Sequence, residues 1–564
     1  MFIGIDVGGT FTDAAAVSHD KVLAWAKVET TEDILQSVTT ALDKIIASIE
    51  IRAVERVVLS TTLITNLIAE SKMNKVGLLI MPGPGARPEE FEIFKDAYVI
   101  PGAIDYRGRE TEPLDMEAAI RVLADIANRK LNLLAVVGKF SIRNSAHEVA
   151  LKEIAKKLYP EIEVELGHVI GGKLNFPRRA ATTIVTAATR KIFKTFAYQA
   201  ELAIRGRGIE APIFFLKADG GTMSLAEAIA RPAETVFSGP AASAMGALAL
   251  GAQKQTAVVV DIGGTTTDLA LLLSGKPLLS SKGSKIGSYL TQVRGFSVRS
   301  LALGGDSKVV VQNNQLRVLD KREGSAMCIG GPAPTPTDAL RYLGLTEMGS
   351  YALAQSAIQQ LQNEYSRDVT PSELDIAQHI LEVMVDQIAT EVQSMFLEWE
   401  QEPAYRVWEI MQRNTQKPDT IFGVGGASPA LIPKIAEKLS CNYLAAEYAP
   451  VANAIGTALA RPTTTVTLRV DTEQGIFNVA EDGEQGCLSG REKERFHFQE
   501  AEELALRLLQ ERIKDSGQEN YAAETETTHR ELFNIVRGWT RVGRIIDITV
   551  QAQPGIIEDW QGHQ

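Results

Sequence analysis

The segment Asp6-Val7-Gly8-Gly9-Thr10-Phe11-Thr12-Asp13 returns as Asp261-Ile262-Gly263-Gly264-Thr265-Thr266-Thr267-Asp268, and no other feature constrains the fold as strongly. Each copy follows a short apolar run, Met1-Phe2-Ile3-Gly4-Ile5 or Ala257-Val258-Val259-Val260, and leads into another. That pattern reads as strand, Gly-Gly turn, strand, with an acid at the mouth of the turn. The register holds beyond the motif, because Lys21 and Leu23 match Lys276 and Leu278 at the same offset. A fixed register through three strands and two turns predicts duplicated lobes.

The residue types suit phosphate chemistry. Glycine frees the backbone for positive φ and clears the approach path. The exposed N–H groups of Gly8, Gly9, Gly263 and Gly264 can then donate to phosphate oxygens, with hydroxyls from Thr10, Thr12, Thr265 and Thr266 beside them. Asp6 and Asp261 would repel a triphosphate unless a divalent cation lies between them. Mg2+ takes few protein carboxylates and keeps several waters, so these two acids are its expected ligands and the expected catalytic pair. One copy alone is better read as a tight hairpin capped by Asp. Two aligned copies predict the jaws of a nucleotide clamp.

A third glycine element, Gly423-Val424-Gly425-Gly426-Ala427-Ser428, follows a strand and opens a helix. Gly425, Gly426 and Ser428 are placed against the adenosine. The chain has no GxxxxGK[ST], which excludes a P-loop, and no glycine spacing of the dinucleotide-binding type. Small-residue helices at Ser238–Ala247 and Val451–Ala458 flank these elements and permit close helix packing, their ordinary role being core.

At 564 residues, several domains are expected. A net charge of -12 argues against a nucleic-acid surface. Three scattered cysteines without CxxC spacing suggest neither a disulfide framework nor a zinc site, and a reducing cytoplasm is the expected compartment. Asp6 interrupts the first apolar run, so neither a signal peptide nor a membrane span is expected.

Alternating strands and helices predict an α/β architecture. Thr30-Thr31-Glu32-Asp33 offers cap hydroxyls for a helix to about residue 50, and Arg178 to Arg205 reads as one long helix. The expected units are 1–175, 176–462 and a small α/β domain at 463–564, with 471–492 turn-rich, 493–514 helical and 515–530 a mobile acidic loop. His147-Glu148 reads as a helix start with a solvated glutamate, Arg178-Arg179 as a solvated helix start or an anion site, and Cys328 as a structural thiol.

The order of phosphate turn, small-residue helix, phosphate turn, adenosine turn and small-residue helix resembles the actin, Hsp70 and sugar-kinase ATPases. Within that superfamily, Ser60-Thr61-Thr62-Leu63-Ile64-Thr65-Asn66, Asn144-Ser145-Ala146-His147-Glu148, Ser238-Gly239-Pro240-Ala241-Ala242 and Pro336-Thr337-Asp338-Ala339 resemble the hydantoinase/5-oxoprolinase family. The resemblance spans about residues 1–460 and departs at Arg299, which stands near an acid of the relatives. It implies two actin-like (ribonuclease H-like) lobes with an appended domain, and use of ATP and Mg2+. It also implies activation of a cyclic amide or related carbonyl by phosphoryl transfer, a hydantoinase B-like subunit and an oligomer. An ATP-driven reactivating or chaperone-like factor and a small-molecule kinase are the alternatives.

Overall fold

In a computed structural model, the chain is described at all residues except 253–254, 281–282, 367–369, 402–417, 489–492, 494–495, 523–524, 558–559 and 561–564. The first repeat becomes an antiparallel hairpin, Phe2–Val7 against Phe11–Val17, extended on its outer side by Val22–Glu29. On the other side of Phe2–Val7, Arg56–Thr61 and then Ile213–Leu216 add in parallel. The second repeat is built alike. Ala257–Ile262 pairs antiparallel with Thr267–Leu273, which carries Lys276–Pro277, and parallel with Thr420–Val424, which carries Asn442–Leu444. Over these five strands the two sheets therefore have the same order and the same sense.

Both sheets are buried on two faces, which explains the continuous apolar runs in place of alternation. One face of the first sheet is covered by the helices Ile34–Ile46 and Phe176–Arg205. The first of these buries Val38, Ala41, Leu42 and Ile45, a single stripe at helical spacing, each larger side chain contributing about 1.5–3 kcal/mol. Its cap is the Asp33 carboxylate, which accepts from Leu35 N and Gln36 N, in place of a threonine hydroxyl. An Asp oxygen reaches the second and third helical amides and also favours the positive helix end.

Between the sheets lie the two small-residue helices, Ser238–Ala249 and Ala452–Leu459. Their composition is dictated by backbone contact. A Cβ on Gly456 would sit 2.2 Å from Gly246 N and 2.4 Å from Ala242 O, and one on Gly4 would sit 2.0 Å from Ala454 O. No rotamer change relieves a clash with backbone. Gly456→Ala is expected to lose about 3 kcal/mol of stability, read as a lower denaturant midpoint. An unchanged midpoint would show that the helices are not locked together.

An inserted parallel sheet, ordered Glu163–Leu166, Leu133–Gly138, Gly77–Met81 and Tyr98–Val99, rises between strands of the first sheet. The C-terminal unit is an antiparallel sheet ordered Gln485–Cys487, Ile476–Val479, Thr465–Asp471, Thr540–Ala552 and Thr525–Arg537, with the helix Phe498–Asp515 on one face.

Three expectations change. A boundary at 175/176 cuts through the first sheet, because Ile213–Leu216 and Thr222–Ser224 belong to it and Phe176–Arg205 is its crossover helix. A helix read alone does not reveal which sheet its next strand will join. The loop expected at 515–530 is shortened by the strand Thr525–Arg537, whose exposed face hid its periodicity. Glu148 is fully buried, accepting from Gly138 N, His168 N and His168 Nδ1. Arg179, also buried, donates to the carbonyls of Gly138, Lys139 and Lys173. Together they fasten the inserted sheet to the long helix. Residues 489–492 and 494–495, where the turn-rich segment was expected to meet the helix, lie outside the described residues. Among the described residues, no helix is long and apolar enough to cross a membrane.

Candidate functional site

The turns of the two repeats close identically, Gly8 N donating to Phe11 O at 3.0 Å and Gly263 N to Thr266 O at 2.9 Å. They also face each other, since a Cβ on Gly264 would lie 3.2 Å from Thr10 Oγ1. Gly9 and Gly426 border open space. Within each hairpin the paired acids stand directly opposite, Asp6 across from Asp13 and Asp261 across from Asp268, so each pair shares a face of its sheet.

These four carboxylates feel one another. Burial pushes Asp6 up to about 7; hydrogen bonds from Ser60 and Asn453 oppose the rise, and the charges of Asp13 and Asp261 add to it. Burial raises Asp13 to about 6 against the pull of Lys27, whose ammonium lies 2.7 Å away, with Asp261 contributing. Burial likewise raises Asp268 to about 6, assisted by Asp261. Asp6 Oδ1 is buried without a hydrogen-bond partner among the described residues.

The two small-residue helices supply the groups that orient Asp261. Ser243 Oγ donates to its Oδ2 at 2.7 Å and Asn453 Nδ2 at 3.0 Å. Asn453 thus stands at aspartates of both repeats, donating to Asp261 and opposing the rise at Asp6. The third glycine turn lies against the same carboxylate. Gly425 has φ +89°, and a Cβ there would be 2.6 Å from Ile262 O and 3.1 Å from Asp261 Oδ1. Only glycine fits that backbone and that gap.

The structure therefore brings Asp6, Gly8, Gly9, Thr10, Asp261, Gly263, Gly264, Thr265, Thr266, Gly425 and Gly426 to one cleft. Two expected contributors turn inward. Thr12 is buried and its hydroxyl bonds Thr30 Oγ1 at 2.9 Å, while Ser428 Oγ donates to Gly425 O at 2.8 Å, closing the turn.

Other residues enter that sequence reasoning missed. Gly305 N and Asp306 N donate to Gly263 O and Gly264 O at 2.9 and 2.7 Å, bracing the second turn. The Asp306 carboxylate is 3.1 Å from Arg322, which also reaches Thr265 Oγ1 at 3.3 Å. Arg299 stands apart, paired with Glu391 and Glu398, so the arginine noted in this loop does not enter the cleft. Asn453 had one sequence signal, an amide in a helix of otherwise small or apolar residues. Arg322 had none, because only the fold carries its hairpin to the turn.

Beside the cleft is a cavity of about 850 Å³ whose lining includes Arg178, Thr182, Lys217, Asp219, Trp399 and Thr463. Lys217 follows Ile213–Leu216 on the edge of the first sheet that carries Asp6, since Ile5, Leu59 and Phe215 are level across three strands. Two strand spacings, roughly 10 Å, separate the two positions. Cys328 is buried, and that burial together with the charge of Asp338 pushes its thiol up to about 12, so it is no nucleophile.

Comparison with known proteins agrees with this construction. Residues 179–466 match the hydantoinase/oxoprolinase family, and residues 2–159 match the hydantoinase/oxoprolinase N-terminal region. The alpha subunit of caprolactamase from Pseudomonas jessenii is 26% identical over 386 residues, covering 62% of this chain and 55% of that protein. The gamma subunit of acetophenone carboxylase from Aromatoleum aromaticum is 27% identical over 398 residues, covering 62% and 54%. The chain thus spans about half the length of the curated relatives it matches. A nucleotide-free acetone carboxylase structure superposes over 99% of this chain and 88% of that one, with a TM-score of 0.74 at 17% identity. The ATP-dependent caprolactamase of Pseudomonas jessenii superposes over 98% and 87%, with a TM-score of 0.68 at 19% identity. With both regions matched in order around the duplicated turns, the chain belongs to the hydantoinase/oxoprolinase family.

Proposed function

We propose that the chain is the ATP-using subunit of an enzyme that activates a cyclic amide or a related carbonyl compound by phosphoryl transfer. The observation that carries this reading is the facing pair of Gly-Gly-Thr turns with the aspartates of both hairpins between them. In this reading the two sheets are actin-like ATPase lobes, residues 463–564 are an appended domain, and the cleft between the lobes is the nucleotide site. Family membership and the ATP-dependent caprolactamase among the similar structures support it.

The amides and hydroxyls of Gly8–Thr10 and Gly263–Thr265 take the phosphates, with the Arg322 guanidinium beside the second turn. Gly425 and Gly426 leave bare backbone for the adenosine. Among the described residues, no group of three or more His, Cys, Asp or Glu has metal-holding spacing. Mg2+ needs less from a protein when phosphates and waters complete its octahedron, and the orphaned Asp6 Oδ1 together with the crowded carboxylates is what a divalent cation would relieve. Asp6 and Asp261 would hold it, and it would supply neutralisation of phosphate charge.

Asp261, steadied by Ser243 and Asn453, accepts from the ring N–H and so orients the amide, whose carbonyl oxygen attacks the γ-phosphorus. The bridging P–O bond to ADP breaks as a P–O bond to that oxygen forms. Water then adds at the activated carbon and the ring C–N bond breaks, the nitrogen leaving as an amine with a proton; a second water cleaves the resulting acyl phosphate, releasing phosphate and leaving the carboxylate. The substrate is held in the cavity beside Lys217 and Asp219, and closure of the lobes keeps water from the phosphates until it is seated. The likeness to subunits of caprolactamase and acetophenone carboxylase supports a second, hydantoinase B-like subunit as partner.

Phosphate release from ATP should rise at least about tenfold when a hydantoin, 5-oxoproline or caprolactam is added to the chain with its partner subunit. Stimulation by a protein alone, with no small molecule, would instead identify an ATP-driven reactivating factor. A stable phosphorylated product would identify a kinase.

A further inference from the structure

Among the described residues, the C-terminal sheet ends on an open edge. Thr525–Arg537 is its outermost strand, 13 residues long, and contains neither proline nor lysine, the residues that usually blunt such edges. From His529 to Arg537 the strand runs without a bulge of its own, the skipped positions being Thr528 and, on the partner strand, Val542. Leu532 and its cross-strand neighbour Ile546 belong to the core under the helix Phe498–Asp515. By alternation, Glu531, Phe533, Ile535 and Arg537 lie on the opposite face. Phe533 is 54% exposed there.

We propose that this edge is a homodimer interface, in which two copies of the strand pair antiparallel about a twofold axis at Asn534. A twofold axis perpendicular to the sheet must set residues of the same face opposite each other, so it passes through a residue. With the axis on Asn534, Glu531 faces Arg537 of the second copy, Phe533 faces Ile535, and Leu532 faces Val536. Symmetry makes each of these pairs twice. An axis on Phe533 sets Glu531 against Ile535 and Arg537 against His529, while an axis on Ile535 sets Phe533 against Arg537 and Glu531 against Trp539. Of these three registers, only the Asn534 register joins opposite charges and apolar groups together. Arg537 already pairs with Glu473 at 2.5 Å yet remains 72% exposed, and its planar fork has donors for a second carboxylate.

Pairing would give the free backbone groups of both edges their partners, as in strand addition between chains. Growth stops at two copies because the far edge of the sheet, Gln485–Cys487, is only 3 residues long.

The test uses the full chain with exposed Cys487 replaced by serine. In that background Asn534→Cys should form a disulfide-linked dimer under mild oxidation, and Glu531→Cys, placed far from its own symmetry mate, should not. By sedimentation, Glu531→Arg or Arg537→Glu alone should weaken dimerisation about tenfold or more, since attraction becomes repulsion at two symmetric sites. The double swap should return it to within about threefold. Unchanged melting temperatures show that the variants fold, and no readout involves ATP. A chain monomeric at every accessible concentration overturns the proposal, as does equal cross-linking of the two cysteine variants or failure of the double swap to rescue. Protection of this strand from hydrogen exchange only when a hydantoinase B-like subunit is added would assign the edge to that subunit and overturn the proposal as well.

Discussion

Asp261→Ala should leave a folded chain whose ATP turnover has fallen roughly 10²–10³-fold. This carboxylate is where the second hairpin, the third glycine turn and both small-residue helices meet. Gly425 packs 3.1 Å from its Oδ1 when a Cβ is imagined there, and Ser243 and Asn453 hold its Oδ2. A group so tightly oriented, beside the expected phosphates, acts on a transition state without reorganising, which is where single substitutions cost that much. The fold should survive for a separate reason. Asp261 is only partly buried, and the helix contacts around it are made by backbone and by alanine and glycine, not by its side chain. Circular dichroism and thermal melting would establish folding, and phosphate release would measure turnover. Retained turnover in a folded Asp261→Ala chain would remove the cleft assignment altogether.

Asp6→Asn should do the unusual pair of things: stabilise the nucleotide-free chain at pH 8 while cutting turnover about a hundredfold. The sign follows from where Asp6 titrates. Burial, with Asp13 and Asp261 adding charge, raises it from 3.8 in the unfolded chain to about 7 in the fold. A raised carboxylate favours its neutral form when folded. Its cost to stability is therefore absent below about pH 4, grows between 4 and 7, and is complete above 7. Removing the charge should return on the order of 2–4 kcal/mol at pH 8 and nothing at pH 4. Melting temperatures of the two chains at both pH values test this. A gain equal at pH 4 and pH 8, or no gain at pH 8, would mean that Asp6 is not held against its own charge.

The glycine-turn half of the candidate site was legible because its pattern is local. A Gly-Gly turn with flanking hydroxyls and an acid is written in consecutive residues, and its second copy announces the second hairpin and its sheet. The long crossover helix, the buried strands and the C-terminal helix were legible for the same reason, since period, cap and turn residues are short-range signals. Thr12 and Ser428 show the limit of that reasoning. Their hydroxyls are adjacent in sequence to phosphate-type turns, yet alternation and turn closure point them inward to Thr30 and Gly425.

What lay beyond sequence reading depended on long-range packing. Glu148 looked like a solvated helix start until His168 and Gly138 were folded around it. The unit boundary at 175/176 was misplaced because a parallel strand reached through a crossover helix can join either sheet. Asn453 looked like one member of a packing helix, and only its position between Asp6 and Asp261 gives it a role.

The sequence by itself determined the duplicated hairpins, the acids at their mouths and the family, since each depends on residues a few positions apart. Only the tertiary structure decided which of those residues share a cleft, which turn away, and that Asn453, Asp306 and Arg322 stand among them. The reason is physical: turns and strands are set by local backbone energetics, whereas the grouping of these residues is set by how two sheets and two glycine-lined helices pack.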